Sequence, residues 1–494
     1  MIRFFLRKVN RIGRIKRHKE KRGLFFAEIL TNGGGHGIIK KAAVKQAAKK
    51  NDGRKRNMWF DESVFYQIYP LGYCGAEREN DFKEVRHRLS AIEENISYIK
   101  DCGFTAVLLN PLFESERHGY DTVDFFKVDR RLGDNEDFKR LVGKFHEAGI
   151  RVVLDGVFNH VGRRFFAFEE VRAKREQTDK KDWFYIHFDG NSPYNDGFWY
   201  EGWEGHMELV KLNLQCAGVT DYIRRAVEFW IDEFGIDGLR LDVSYLLPEW
   251  FFEFLRHTVS AKRPDFFLMG EVIHNQNFVK NVVPGRLDSI TNYECYKGLT
   301  SALNSDNFFE IAHSLERLFG SQPWCLYTGK NLFSFADNHD VVRAYTALQN
   351  KNKLAALYGV LYTMPGIPCV YYGSECGAEG DKSDNDYKLR PAVGAIDQNK
   401  CPALTDLIRR LNKIRTSEKA LAYGSYANCV LSNKYMCYKR EKDGERIYCA
   451  FNISDSDVTV RVEESEGRDL LTGEVRNLND IYLPPYAVKI FKKF

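Results

Sequence analysis

Short apolar runs recur along most of this chain, separated by amphipathic stretches. The runs are Val64–Tyr69, Ala106–Asn110, Val152–Val157, Gly238–Val243, Phe267–Val272, Ser289–Tyr293, Leu332–Ala336 and Ile367–Tyr372. Their length and composition predict strands. Between them, segments such as Asp221–Phe234 and Trp250–Val259 repeat apolar residues at helical spacing. Strand alternating with helix predicts a parallel sheet, and eight such strands predict an α/β fold of the closed (β/α)8 TIM-barrel type. An open, doubly wound sheet is the alternative, but no Gly-rich phosphate loop follows the first strand.

Two departures from this rhythm organise the rest. After Val157 no clear helical pattern resumes until about Asn213, so residues 161–213 read as an insertion after the third strand. The insertion carries Trp183-Phe184-Tyr185 and Phe198-Trp199-Tyr200-Glu201-Gly202-Trp203. Long barrel insertions shape the mouth of the active site. After about Ser417 the pattern becomes alternating strands with turn signals at Glu441-Lys442-Asp443-Gly444 and Thr472-Gly473. That predicts an all-β terminal domain, read as a β-sandwich. The expected parts are a leader at 1–57, a barrel at 58–416 and the β-domain at 417–494.

Composition adds three constraints. The chain of 494 residues is 44% hydrophobic and 14% aromatic, enough for a large core and a smaller domain. Part of the aromatic content suits a sugar cleft, where flat rings stack on pyranose faces. The 11 Cys include no CxxC pair and no zinc-type cluster, which predicts free thiols in a reducing compartment. No apolar run is long enough to span a bilayer, and the first residues lack a secretion signal. A cytoplasmic protein with no membrane partner is expected.

The net charge of +5 hides a division. Residues 1–57 hold 18 Lys and Arg against 3 acids (Glu20, Glu28, Asp52), a local charge of +15, which leaves −10 for residues 58–494. The leader reads either as a basic arm for nucleic acid or membrane, or as a translated upstream segment before a start at Met58. Purine-rich codons of a ribosome-binding site would encode runs such as Arg54-Lys55-Arg56 and Gly33-Gly34-Gly35. The second reading is adopted, so no nucleic-acid partner is expected; the oligomeric state is left open.

Candidate chemistry gathers where a barrel enzyme keeps it, at the C-terminal ends of strands: Asp155, Asp242, Glu271 and Asn338-His339-Asp340. Cleaving a glycosidic bond needs an acid for the leaving oxygen, and a retaining mechanism needs a second carboxylate about 5 Å away. Asp242 and Glu271 end consecutive strands, and neighbouring strands lie about 4.8 Å apart. Arg240 stands two residues before Asp242, on the same face, and is expected to keep it ionised. Glu271 lies among Phe266-Phe267-Leu268-Met269 and Val272-Ile273, surroundings expected to raise its pKa as an acid catalyst requires. A lone carboxylate is more often a salt-bridge partner; the convergence at strand ends argues otherwise here.

These residues resemble the α-amylase superfamily, glycoside hydrolase family 13, and in particular its neopullulanase, cyclomaltodextrinase and maltodextrin-glucosidase branch. Four ordered segments carry the likeness: Asp155-Gly156-Val157-Phe158-Asn159-His160, Gly238-Leu239-Arg240-Leu241-Asp242, Gly270-Glu271-Val272-Ile273-His274 and Phe335-Ala336-Asp337-Asn338-His339-Asp340. Asn110-Pro111, His118-Gly119-Tyr120-Asp121, Met364-Pro365-Gly366-Ile367-Pro368, Tyr371-Tyr372-Gly373 and Leu209-Val210-Lys211-Leu212-Asn213 support it. Two positions depart from the branch: Ile273 stands for its usual Trp, and Val210 for a Pro.

The resemblance implies retaining hydrolysis of α-1,4-glucosidic bonds in maltodextrins through a covalent glycosyl-enzyme. It makes Asp242 the nucleophile, Glu271 the acid/base and Asp340 the transition-state partner. It implies that Tyr120 stacks on the sugar at the cut and that His160 and His339 contact its hydroxyls. Asp155, Arg240 and Trp203 complete the expected substrate site. Arg343 reads either as a further sugar contact or as a structural partner of Asp340, and Asp121 as a buried partner of Arg240 or Tyr120. Trp199 and Trp203 either stack on substrate or pack the insertion. Asn159 resembles a calcium ligand, but the insertion has no dense Asp/Asn run, so neither calcium nor another cofactor is expected to be required. The implied partners are maltooligosaccharides. Without the N-terminal β-domain frequent in the branch, a preference for cyclodextrins is not expected. The alternatives are a 4-α-glucanotransferase, with the same intermediate passed to a sugar, and a catalytically silent scaffold. The three carboxylates together argue against the scaffold.

Overall fold

The computed structural model describes residues 58–383 and 385–494, so the reading of residues 1–57 lies outside it. Eight strands form the central sheet: β1 Phe65–Ile68, β2 Ala106–Leu109, β3 Arg151–Gly156, β4 Gly238–Leu241, β5 Phe267–Gly270, β6 Ser289–Ile290, β7 Phe333–Phe335 and β8 Ile367–Tyr371. Their order is β6-β5-β4-β3-β2-β1-β8-β7, and every pairing is parallel. A parallel bridge from Thr291 to Phe333 joins the two ends and closes the ring. The chain is therefore a (β/α)8 barrel, as the alternation of runs predicts.

Side chains alternate along each strand, so every second residue enters the barrel. Phe65, Ala106, Leu108, Val153, Phe267, Met269, Phe333, Phe335, Ile367 and Cys369 pack there as a separate apolar cluster. The same faces end in polar residues: Gln67 after Phe65, Asn110 after Leu108, Asp155 after Val153, Glu271 after Met269. The interior is thus greasy at one end and chemical at the other. The short helix Trp59–Glu62 plugs the apolar end; Phe60 stacks on Phe267 at 4.5 Å, and the Trp59 indole donates to the Asp265 carbonyl at 2.9 Å. Helices including Asn135–Glu147, Ala217–Phe229, Glu249–Lys262 and Leu354–Thr363 surround the barrel, their apolar faces in the main core.

The insertion after β3 is a small sheet with an aromatic core of its own. Strand His160–Gly162 pairs with His206–Lys211, which forms a hairpin with Gly202–Trp203. Phe168, Trp183, Phe184, Phe198 and Tyr200 are buried beneath it. After the helix Pro402–Ser417 the chain turns to antiparallel strands: Ser425–Leu431, Tyr435–Lys442, Glu445–Asn452, Val488–Lys493, Glu466–Asp469 and Val475–Asn477 in one sheet, with Val458–Val460 and Ile481–Leu483 paired separately. A second core, including Cys437, Val460, Val462, Leu478 and Phe491, fills this part. Residues 58–494 nonetheless form one compact unit. Buried arginines stitch it: Arg440 donates to the Thr363 carbonyl at 2.7 Å and Arg415 to that of Gly366 at 2.8 Å. Among the described residues all 11 cysteines are free, and no helix is long and apolar enough to cross a membrane.

Candidate active site

Register places the two central carboxylates. Leu241 of β4 pairs with Gly270 of β5, so the next residues, Asp242 and Glu271, leave the barrel side by side. Arg240 lies beneath both. Its Nη1 donates to both oxygens of Asp155, at 2.7 and 2.6 Å, and reaches Asp242 at 3.3 Å. Its Nη2 pairs with Glu271 at 2.8 Å. All four side chains are buried. The surroundings of Glu271 therefore differ from the expected apolar pocket. Its neighbours Leu268 and Val272 turn away into the main core, Met269 lies below it in the barrel, and its carboxylate takes the Arg240 bridge and an amide bond from Val243 at 3.0 Å.

That amide is delivered by strained backbone. Val243 has φ +40, a conformation a β-branched residue rarely adopts. The turn is held by the Ser244 hydroxyl, which donates to the Leu241 carbonyl at 2.8 Å. Gly270 makes room for it: a Cβ there would meet the Ser244 Oγ at 2.8 Å.

The electrostatics of the pair also depart from expectation. Burial, and then the neighbouring Glu271 charge, push the Asp242 carboxyl well above the usual carboxylate range, against the pull of Arg240. Arg240 spends its shortest contacts on Asp155 and Glu271 and so cannot keep Asp242 ionised by itself. The Glu271 charge on the adjacent strand end adds to the cost of ionising Asp242.

Asp340 is treated differently. Burial opposes its charge, but His339 and then Arg390 outweigh burial and hold it far below the usual range. His339 meets Asp340 at 2.9 Å and Arg390 meets it at 2.9 Å. Both ring nitrogens of buried His339 face protein groups, Gln67 at 3.0 Å on one side and the Tyr120 hydroxyl and Asp340 on the other. His339 thus clamps Asp340 and has no ring nitrogen left for a sugar hydroxyl.

Three further expectations are corrected. Arg343 does not touch Asp340 and is not exposed to substrate. It is fully buried, pairs with Asp337 at 3.3 Å and donates to the Leu389 carbonyl at 3.1 Å. The cation on Asp340 is Arg390, whose guanidinium lies over the Tyr69 ring at 4.5 Å. Asp121 holds neither Arg240 nor Tyr120; it accepts from the His118 amide at 3.1 Å and pairs with Arg117. Asp155 anchors the site from beneath: besides Arg240 it accepts from Asn110 and the Tyr120 hydroxyl, both at 3.1 Å.

The groups left open face the same space. His160 Nε2 has no partner within the protein and lies 4.0 Å from Asp242. Burial, then the charge of His118, depress His160 to about 3, so the ring is neutral near pH 7. The Trp203 indole nitrogen is buried toward the Tyr245 hydroxyl, and its ring stands 5.7 Å from that of His160. Trp199 lies at the outside of the insertion, more than a third exposed, against His187. Beside Trp203, Glu204 at the hairpin tip accepts from the Tyr245 hydroxyl at 3.5 Å, linking the insertion to the loop after β4. The motifs do not reveal Gln67, Tyr245 or Arg390.

The Asn159 amide meets His160 Nδ1 at 3.1 Å. Among the described residues, one group of metal-type ligands converges, His87 with Asp134 and Asp137, and it includes none of these site residues. Asp134 and Asp137 already cap the helix Asn135–Glu147.

A pair of carboxylates on adjacent strand ends, a third facing them, and an arginine beneath, all at the mouth of a (β/α)8 barrel, define a glycosidase site. The chain belongs to the alpha-amylase family: the family's catalytic domain (alpha amylase, catalytic domain) matches residues 67–420, well over half of it. It is an α-glucan glycosidase. Relatives include a cyclomaltodextrinase of Thermoanaerobacter pseudethanolicus, 29% identical over 465 residues, covering 88% of this chain and 78% of that one. An intracellular maltogenic amylase of Bacillus subtilis is 28% identical over 421 residues, 80% of this chain and 69% of the relative. Among solved structures, an Anoxybacillus alpha-amylase superposes with a TM-score of 0.74 at 26% identity, covering 89% of this chain and 99% of that one.

Proposed function

We propose that the protein hydrolyses α-1,4-glucosidic bonds in maltooligosaccharides, with retention of anomeric configuration and inside the cell. The observation that carries this reading is the register-matched pair Asp242 and Glu271 above one shared arginine, Arg240. Adjacent strand ends suit the separation of about 5 Å that a retaining mechanism uses.

In this reading Glu271 gives its proton to the leaving oxygen while Asp242 attacks the anomeric carbon. A covalent glycosyl-enzyme results. Glu271 then takes a proton from water, which displaces Asp242 and regenerates the acid. The reaction uses the form in which Asp242 is ionised and Glu271 carries the proton. Asp340, kept ionised by His339 and Arg390, faces the positive charge that develops on the sugar ring. His160 offers its unpartnered nitrogen to a sugar hydroxyl, and Trp203 offers its ring face beside it. No step calls for a metal, and activity is expected to survive chelation.

The names of the relatives, cyclomaltodextrinase and maltogenic amylase, support linear and cyclic α-glucans as the substrate class. The second of these is named intracellular, which supports the same compartment here. Proton NMR of the first product formed from maltoheptaose tests the mechanism. An α-anomer is expected, and an early β-anomer would rule out retention. Product chromatography separates hydrolysis from transfer, because oligosaccharides longer than the substrate would mark a transferase.

A further inference from the structure

Two thiols outside the barrel are brought together by an irregularity in the terminal sheet. Strand Ser425–Leu431 pairs with Tyr435–Lys442, with Asn428 opposite Tyr438 and Val430 opposite Cys437. Cys429 is the extra residue of a β-bulge between those two pairs. In a bulge two residues of one strand oppose a single residue of the other. Cys429 therefore shares Cys437 with Val430 and does not take the face that strict alternation would give it. The bulge sets the two thiols against each other across the strand pair, and the Cys429 thiol also donates to the Ala427 carbonyl at 3.8 Å. Cys429 is exposed, on the edge strand of the sheet, whereas Cys437 is buried in the second core.

From this geometry we infer that Cys429 and Cys437 form a thiol modification site that reacts with low-molecular-weight disulfides and closes to an intramolecular disulfide. The environment suits the roles. The neighbouring Cys437 thiol, helped by the Lys439 charge and opposed by burial, lowers the Cys429 thiol from its ordinary value, which favours the attacking thiolate. The same neighbour and burial raise the Cys437 thiol, so it stays protonated and waits as the resolving partner. The Cys429 thiolate attacks one sulfur of the small disulfide, and the first small thiol leaves. The Cys437 sulfur, losing its proton to water, then attacks Cys429 in the mixed disulfide, and the second small thiol leaves. Two electrons pass to the small disulfide, and the two protein protons balance the two thiols released.

The site has a structural context. The turn between the two strands holds Asn433, whose carbonyl accepts from the Phe308 amide at 2.8 Å, and Lys434, which pairs with Asp306 at 3.4 Å. A disulfide here would lock the hairpin that clips the terminal sheet onto the barrel helix Phe308–Phe319.

The test uses the full, native chain incubated with glutathione disulfide, alkylated, and mapped by trypsin and mass spectrometry without reduction. Cleavage at Lys434 separates the two cysteines, so a crosslink appears as two joined peptides that part on reduction. The expected product is that pair, with two hydrogens lost and no glutathione retained. Cys437→Ala should instead stop at glutathione on Cys429, and Cys429→Ser should leave Cys437 reduced. Both variants should keep native maltoheptaose hydrolysis, which serves as the check on folding. Persistent glutathione on Cys429 of the parent chain would overturn the inference, as would no reaction. A crosslink of Cys429 to Cys449, which lies opposite Tyr438 on the next strand, would overturn it too.

Discussion

Arg240 reaches three carboxylates with two nitrogens, and its allocation decides the acid–base chemistry of the site. Asp155 and Glu271 receive the short contacts and Asp242 the long one. Burial and the neighbouring Glu271 charge consequently hold the Asp242 carboxyl well above the usual carboxylate range. Asp242 must be ionised to attack, so activity should fall as pH drops through that raised value, an acidic limb higher than an ordinary carboxylate would give. Asp242→Asn or Glu271→Gln should cost several orders of magnitude in kcat while the fold persists, measured on maltoheptaose with circular dichroism as control. Asp242→Asn should also remove that raised titration from the pH profile of any residual activity, and Glu271→Gln should lower it, since the Glu271 charge is one of its causes. Arg390 makes a separate prediction. Arg390→Leu should lower kcat by roughly 10–100-fold, the order expected for losing one electrostatic stabiliser. It should also move the acidic limb of the pH profile upward, since Asp340 would lose a cation that favours its charge. A rise in KM alone, with kcat and the limb unmoved, would assign Arg390 to sugar binding only. The contrast between Arg390 and Arg343 shows what the sequence could carry. Asp242 and Glu271 stand at the ends of apolar runs and are legible there. Arg343 looks like a partner of Asp340 only if spacing of three residues means adjacency, which holds on a helix. Here the backbone at Arg343 is extended, with φ −56 and ψ 139, and its side chain turns under the site to Asp337. Arg390 lies in a loop without periodicity, and only the folded chain brings it to Asp340.

At the scale of elements, the barrel strands were legible because each pairs a short apolar run with a polar end. The insertion was legible as an interruption but not as a sheet, since two of its strands, Trp199–Tyr200 and Gly202–Trp203, are two residues long. Their pairing depends on the tertiary contacts of the insertion and leaves no period to read. Asp237, just before β4, is another feature that sequence hides. One of its oxygens meets Arg151 at 2.7 Å and Arg263 at 2.8 Å. The other meets His146 at 2.7 Å and the Val152 amide at 2.8 Å. Burial raises this carboxyl, but His146, the Val152 amide and Arg151 together bring it below its ordinary value. Asp237→Ala would strip a buried carboxylate from two arginines, a histidine and a strand amide, and should cost about 3–5 kcal/mol. Urea unfolding of variant and parent at neutral pH measures this. The sign with pH follows from linkage: a carboxyl whose folded pKa lies below the unfolded one stabilises above the unfolded value, and that stability fades as pH falls through the folded one. The difference between parent and variant should therefore shrink in acid. A constant difference would mean that packing, and not charge, is what Asp237 contributes.

The molecule as a whole carries a prediction about substrate length. Two segments from different parts of the chain flank the carboxylates. On one side the insertion hairpin brings Trp203 over His160, and its tip residue Glu204 meets Tyr245 of the loop after β4 at 3.5 Å. On the other, the segment after β8 brings Arg390 onto Asp340, with Asp386 pairing to Arg390 at 3.6 Å and Arg78 over the Tyr387 ring at 3.9 Å. A chain that extends far beyond the cut must pass or displace these contacts, and the displacement offsets what distant sugars gain by binding. Remote sugars raise the rate only if their contacts survive into the transition state. We therefore expect kcat/KM to favour maltotriose to maltoheptaose over soluble starch, compared per reducing end. Glu204→Ala, which frees the hairpin tip from Tyr245, should narrow that gap by improving starch more than maltotriose. A parent enzyme that prefers starch would show an open cleft with many subsites. A Glu204→Ala variant that leaves the ratio unchanged would place the length limit elsewhere, in the segment that holds Arg390.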